Sequence, residues 1–395
     1  MNKIQYAETL LSSVLTFLVE KKYLTFGQIL LVVSGNLMTF ENVKAANWQY
    51  LPGITAGVQY TDNLYFTTID KVSDTNLLII PAFALRGESD RSRASVEAGL
   101  RVERYDRVKE ADRNDPYINS DWEHNWERNS LGIGIRYTQA STRTSELETS
   151  GRTNIFGTRT DTSIAPRWQS IVDENNTFEL SFRLLDVFYD LPTFTDFQDY
   201  SATLRWAHDM GPLNTFYFTT TGNSYKTELI EFDYNYGQLL LGMSHMGSER
   251  LRYDMSLGAG YADRRTQQDY KTWLVNVGLT SEREYDVTTL SLTSQLVPSG
   301  SIELRKVYAL DLRYRREVTE NLDFTFDTRF TISDPVRELE LERNENLLVR
   351  PGATYRLGEA WLMEIWYQYR SNRYIGSDTT LEDSVYLGFR YDTNL

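Results

Sequence analysis

The sequence predicts an all-β protein, a transmembrane antiparallel β-barrel of about 18 strands. Apolar and polar residues alternate with a period of two along most of the chain, as they do in strands with one apolar face. Segments with this alternation recur every ~19 residues, the spacing expected for spanning strands with short connections. Aromatic residues gather near the segment ends. Counts of 16 or 20 strands remain open.

The first 45 residues have the features of an export signal. A basic pair at Lys21 and Lys22 precedes an apolar run from Leu24 to Phe40, and Val43 and Ala45 suit a signal-peptidase site. The sequence therefore predicts a signal peptide over 1–45 and a mature barrel over 46–395. An N-terminal membrane anchor is the alternative.

The composition excludes several classes of protein. The chain has 395 residues and a net charge of −14, which argues against a nucleic-acid partner because such a domain carries a basic face. It has no cysteine, which excludes disulfides, thiolate metal sites and cysteine nucleophiles. The mean hydropathy of −0.46 resembles that of a soluble protein, but alternating apolar and polar residues cancel in such an average.

The alternation is clearest where apolar residues occupy every second position. Leu131, Ile133 and Ile135 alternate with Gly132 and Gly134, which predicts one apolar and one polar face. Such segments lie at roughly 48–61, 74–86, 92–105, 116–128, 130–141, 158–171, 176–187, 198–209, 214–224, 232–246, 250–262, 269–282, 286–297, 300–315, 321–333, 345–357, 361–372 and 382–391.

The connections between segments alternate in length. Short turn-like sequences follow every even-numbered segment, for example at Asn129, at Gly211-Pro212 and at 358–360. The intervening connections are mostly longer and polar, as extracellular loops are, so both termini are expected in the periplasm. The connection near Pro298 is an exception, being short where a long one is expected.

The apolar faces could meet lipid or the core of a soluble β-sandwich. A barrel is favoured because a sandwich of eighteen strands would leave two open edges, and because aromatic residues at strand ends suit two interfacial girdles. Prolines within segments remove a ladder hydrogen bond, so we expect bulges or strand ends at four positions. These are Pro52, Pro81, Pro166 and Pro351.

The polar faces would line a lumen in which arginine outnumbers carboxylate. A cationic wall favours anions, and the planar guanidinium suits carboxylate and phosphate. The alternative is that the arginines pair with nearby acids and only stiffen the barrel. The candidate transport residues are Arg101, Arg136, Arg183, Arg205, Arg252, Arg313, Arg329, Arg350, Arg356 and Arg370.

Catalytic and metal-binding patterns are weak. The three histidines, His124, His208 and His245, fall at apolar or end positions of strands, where packing or an interfacial role is favoured over nucleophilic catalysis. No spaced calcium-loop motif is present. We therefore expect no enzyme activity, no cofactor and no metal.

Short patches resemble the outer-membrane β-barrels encoded with bacterial exopolysaccharide biosynthesis systems. These patches are Trp48 to Ile54 followed by Tyr60-Thr61-Asp62-Asn63-Leu64, then Leu78 to Leu85, Arg350-Pro351-Gly352, Trp361 to Tyr369, and Val385 to Tyr391. The resemblance implies a porin-like channel that exports an extracellular polysaccharide together with periplasmic components. The last patch also resembles the C-terminal signal read by the barrel-insertion machinery.

Two other functions remain open. A barrel of this kind could form a sleeve around a multihaem partner in a porin–cytochrome conduit, where the lumen only has to accommodate protein. It could also be a general diffusion porin. In each case the expected location is the outer membrane of a Gram-negative cell, in contact with its lipid.

Overall fold

The structure, a computed structural model, describes residues 47–146, 156–228, 233–264, 269–300, 303–336, 343–374 and 377–392. The predicted signal peptide over 1–45 lies outside the described residues. Eighteen strands are present in the described part of the chain. They are β1 Asn47–Thr61, β2 Asp74–Glu88, β3 Ser92–Tyr105, β4 Arg113–Asn125, β5 Asn129–Ser141, β6 Thr158–Ile171, β7 Asn176–Tyr189, β8 Phe197–Gly211, β9 Asn214–Thr227, β10 Tyr234–Ser248, β11 Leu251–Arg264, β12 Tyr270–Glu282, β13 Asp286–Ser299, β14 Glu303–Thr319, β15 Leu322–Pro335, β16 Asn344–Arg356, β17 Trp361–Tyr374 and β18 Thr380–Asp392.

The strands form one closed antiparallel barrel. Each strand pairs with its neighbours in sequence, and β1 closes on β18 from Gly53 opposite Asp392 to Thr61 opposite Ser384. The predicted fold and the count of 18 are confirmed. Strands ~4.8 Å apart and tilted by ~40° give a backbone radius of roughly 18 Å.

Helical structure is sparse in the described residues. A short 3-10 helix, Lys109–Ala111, follows β3, and one α-helical turn, α1 (Thr142–Ser145), follows β5. No helix in the described ranges is long and apolar enough to cross a membrane.

The predicted alternation of connection lengths is confirmed. The links after even-numbered strands span two to four residues, and both ends of the barrel chain lie at this short-turn end. Most links at the opposite end, the long-loop end, are longer, and the link after β13 is the short exception. One boundary differs, because β4 ends at Asn125 and the turn is 126–128 rather than Asn129.

Apolar side chains cover the outer wall. Tyr50, Leu257 and Trp273 are all more than half exposed, which would be unfavourable in water and is expected of side chains that face lipid. A closed antiparallel barrel with an apolar exterior has no unpaired sheet edge to place in a membrane. The chain is therefore an outer-membrane β-barrel.

The four prolines within strands all point outward and interrupt the ladder locally. Pro52 lies one residue beyond the end of the β1–β18 pairing, but β1 continues to Asn47 and stays paired with β2, so only the ladder with β18 ends there and the strand does not. No bulge is present at Pro81, Pro166 or Pro351, so the prediction of bulges at these positions is wrong. Pairing with β3, β7 and β17 stops for two residues and resumes in the same register, so the missing N–H leaves a gap without displacing the strand.

Tyrosine rings lie flat on glycines of the inner wall. A Cβ at Gly57 would lie 2.6 Å from the Tyr386 ring, and one at Gly99 would lie 2.6 Å from Tyr117. The Tyr386 ring is also stacked on Trp366, with centroids 5.0 Å apart. Such aromatic cover protects the backbone of a strand glycine.

We expect Gly57→Ala to destabilise the barrel by about 1–3 kcal/mol, because the added methyl must displace a packed ring. The matched control is Gly222→Ala on β9, where a Cβ would meet nothing within 4 Å. The urea concentration at the midpoint of unfolding in lipid vesicles measures both. Equal midpoints for the two variants would contradict the packing role of Tyr386.

Candidate functional site in the barrel lumen

The ten predicted arginines all lie on strand positions that face the lumen. Their positions alternate with those of the exposed apolar side chains, and cross-strand neighbours keep the same face. Arg313 lies opposite Asp327, which in turn lies opposite Arg350. The structure thus brings several of them into one surface on β14–β17, while the others are distributed around the wall.

Six of the ten form ion pairs with carboxylates. These six therefore follow the alternative expectation, in which the arginines pair with nearby acids. Most of these pairs are partly exposed and each contributes little to stability, about 0–1 kcal/mol. The N–O distances are 2.5 Å for Arg101–Glu103, 2.8 Å for Arg183–Asp199, 3.0 Å for Arg252–Asp254, 3.5 Å for Arg329–Asp311, 3.3 Å for Arg350–Asp327 and 3.5 Å for Arg370–Glu382.

The other four arginines, Arg136, Arg205, Arg313 and Arg356, have no ion pair with a carboxylate in the described ranges. The Arg205 guanidinium lies 4.4 Å from the centre of the Tyr217 ring. The Arg356 guanidinium donates to the Glu320 carbonyl oxygen at 3.1 Å. These four form no ion pair within these ranges, although Glu179 lies directly opposite Arg205 and Asp327 lies directly opposite Arg313, and we call them the unpaired arginines.

Aromatic rings continue the arginine surface on β17 and β18. The Arg350 guanidinium lies 5.9 Å from the centre of the Trp366 ring, which is stacked in turn on Tyr386. Planar cations and aromatic faces side by side can contact both the charged groups and the flat faces of a sugar acid.

The top of the β13–β14 hairpin folds into the lumen. β13 pairs with β12 only as far as Leu292, opposite Val277, and the hairpin then leaves the wall. The Leu296 side chain lies 3.2 Å from the position of a Cβ at Gly260, on the inner face of β11. The Lys306 ammonium contacts the Thr272 hydroxyl on the inner face of β12. The outer side of the hairpin thus packs against the inner side of its neighbours.

This inward hairpin, residues 296–300 with 303–306, reaches strands well beyond its own. The Tyr225 hydroxyl donates to the Ser299 carbonyl oxygen at 3.3 Å, and the Thr195 amide donates to the Gly300 carbonyl oxygen at 2.9 Å. Leu296, Leu304 and Val336 join a buried cluster. Its other members are Val187, Tyr189, Phe194, Phe197, Tyr225, Tyr234, Tyr236 and Ala262.

A second segment, residues 142–146 after β5, also crosses the lumen. The Arg143 guanidinium donates to the Leu64 carbonyl oxygen and lies 4.0 Å from Glu382 on β18. Strands β5 and β18 are about five strand spacings apart, which is roughly 24 Å along the wall. Side chains can span that separation only by reaching through the mouth of the barrel.

Glu146 joins the two inward segments. Its carboxylate is fully buried and accepts from the Tyr189 hydroxyl at 2.6 Å and the Arg159 guanidinium at 2.9 Å. A Cβ at Gly300 would lie 2.5 Å from the Tyr189 ring, so the inward hairpin touches the same tyrosine. Residues 142–146, Tyr189 and the inward hairpin therefore form a continuous bridge across the mouth at the long-loop end.

The alternation of apolar and polar residues does not reveal the bridge. Its one sequence signal is the short connection near Pro298, where the alternation of lengths predicts a long loop. The residues that hold it are Arg143, Glu146, Arg159, Tyr189 and Glu382, none of which is among the predicted transport residues.

The three histidines lie on the outer wall, at strand ends near the short turns, as predicted. Their ring contacts are with Trp122, Trp206 and Tyr253, so they are part of an interfacial girdle and do not face the lumen. Within the described ranges, no three histidine or acidic side chains are grouped so as to hold a metal ion.

No protein-family model and no curated protein matches the chain. Solved structures with a similar shape include Acinetobacter baumannii OccAB3, at 12% identity over 88% of this chain and 99% of that one, with a TM-score of 0.47. The outer membrane channel DcaP of the same species has 11% identity over 89% and 99%, with a TM-score of 0.45. Pseudomonas aeruginosa OpdL has 10% identity over 88% and 99%, with a TM-score of 0.47. Likenesses this distant say nothing of what this chain transports.

Proposed function

We propose that the barrel is a channel through which an extracellular polysaccharide, anionic in character, leaves the cell. The observation that carries the proposal is the set of unpaired arginines on the lumen wall. A guanidinium group that holds no carboxylate can bind one carried by a passing polymer, and a series of such groups lets the carboxylates of the polymer move from one arginine to the next. The aromatic surface at Trp366 supports the same substrate class.

The proposal places the short turns and both chain ends in the periplasm. The long-loop end, with its bridge, then faces outward, where a polymer would emerge. Export of a polymer requires the bridge to move, because residues 142–146 and the inward hairpin cross the mouth. Periplasmic polysaccharide-export components and the barrel-insertion machinery remain predicted partners.

A second function, diffusion of small solutes, is favoured by the bridge itself. A narrowed mouth admits small anions more readily than a polymer. The same bridge argues against a sleeve around a multihaem protein, because a partner that filled the lumen at this end would have to displace the buried Glu146 contacts.

Interruption of ionic current by oligosaccharides tests the proposed substrate class. We expect oligogalacturonate to interrupt the current through the reconstituted barrel at concentrations about tenfold lower than uncharged maltodextrin of equal length. Equal effects would contradict an anionic substrate. A steady chloride current that neither oligomer interrupts would identify a small-solute porin instead.

A further inference from the structure

Two histidines of the outer wall each lie opposite an asparagine on the neighbouring strand. His208 on β8 lies directly opposite Asn176, and His245 on β10 lies directly opposite Asn214. In both pairs the histidine Nδ1 lies near the asparagine Oδ1, at 3.0 Å and 2.8 Å. Both histidines are half-buried and adjoin exposed apolar residues such as Met210 and Met243, at the level of the short turns.

The surroundings of Asn176 fix the orientation of its amide. Its Oδ1 accepts from the Trp206 indole N–H at 3.0 Å, and its Nδ2 donates to the Asp173 carboxylate at 2.8 Å. An indole N–H can only donate and a carboxylate can only accept. The atom that faces His208 is therefore an acceptor, so the His208 Nδ1 carries a hydrogen and donates it.

A neutral imidazole that donates from Nδ1 has an acceptor at Nε2. This leaves His208 with a hydrogen-bond acceptor at the membrane interface. His245 Nδ1 likewise faces the Asn214 Oδ1, and donation to that oxygen leaves an acceptor at its Nε2. The Asp173 carboxylate at the adjacent turn adds negative charge. The pKa of Asp173 is lowered, because the Asn175 backbone N–H and the Asn176 side chain donate to it, so it stays ionised.

We propose that His208 and His245 bind lipid headgroups that end in a primary ammonium, as phosphatidylethanolamine does. An ammonium offers N–H donors to the imidazole acceptor and positive charge to Asp173. A trimethylated headgroup carries the same charge with no N–H. An anionic headgroup would meet the Asp173 charge unfavourably. The two histidines are separated by one strand, so they form two neighbouring sites on one sector of the wall.

The test compares lipids that differ only in headgroup methylation. The purified barrel is exposed to equal mixtures of phosphatidylethanolamine, its N,N-dimethyl form and phosphatidylcholine with identical acyl chains, and retained lipid is counted by native mass spectrometry. We expect about fivefold enrichment of phosphatidylethanolamine over phosphatidylcholine, with the dimethyl form between them.

The double variant His208→Phe, His245→Phe keeps a ring at each position and removes the acceptors. Its enrichment should fall to about one. The matched control, Tyr261→Phe, removes the Tyr261 hydroxyl that donates to Asp269 at the opposite end of the outer wall, and should leave enrichment unchanged. Equal retention of all three lipids by the wild-type barrel would overturn the proposal without any variant. Enrichment that survives in the double variant would also overturn it.

Discussion

The double variant Arg143→Ala, Glu146→Ala is expected to conduct roughly twice as much current as the wild-type barrel, or more, because residues 142–146, one of the two inward segments of the bridge, are no longer held across the mouth. Glu146 is fully buried, and its loss leaves the Tyr189 hydroxyl without that acceptor and weakens the pairing of Arg159. Breaking a buried ion pair costs about 3–5 kcal/mol, which is large compared with the remaining contacts of one helical turn. Single-channel recording in planar bilayers measures the change.

The control for this variant is Glu359→Ala, which removes an exposed carboxylate in the turn between β16 and β17, at the other end of the barrel. It should conduct as the wild type does. Heat-dependent mobility on gels shows whether each variant is a folded barrel. A folded double variant with unchanged conductance would show that residues 142–146 do not restrict the channel.

The second large effect concerns ion selectivity. The triple variant Arg136→Gln, Arg205→Gln, Arg313→Gln should reduce the ratio of anion to cation permeability by roughly two- to fivefold. These three arginines form no ion pair in the described part of the lumen, so each replacement removes a positive charge without releasing a bound carboxylate. The reversal potential under a salt gradient measures the ratio.

The matched control removes a pair and leaves the net charge of the lumen unchanged. Arg252→Gln with Asp254→Asn deletes a contact of 3.0 Å between partly exposed side chains on β11. We expect selectivity close to that of the wild type and a fully folded barrel, because such pairs contribute little stability. If this control changed selectivity as much as the triple variant does, the distinction between paired and unpaired arginines would be wrong.

The barrel could be predicted from the sequence because its determinants are local. A period of two assigns each residue to a face, and turn-forming residues mark the short links. The same rule placed all ten candidate arginines on the lumen side. It could not say which of them are paired, since the contact of Arg183 with Asp199 depends on the register between β7 and β8.

The period-two alternation of apolar and polar residues predicts the wrong face at the inward hairpin. The alternation groups Leu296 with Leu290 and Leu292 on the outer face of β13. The structure places Leu296 against the inner face of β11, because β13 leaves β12 above Leu292 and bends into the mouth. Such a bend is decided by contacts with β7 to β11, which are distant in sequence. The position of Glu146 beside Tyr189 could not be predicted for the same reason.

The proposed channel is tested most directly by the reversal potential of the wild-type barrel, reconstituted alone in planar bilayers under a salt gradient. We predict a stable conductance with a clear preference for anions, carried by the unpaired arginines. A preference for cations would contradict the role assigned to those arginines. The absence of any conductance without a partner protein would contradict the channel itself.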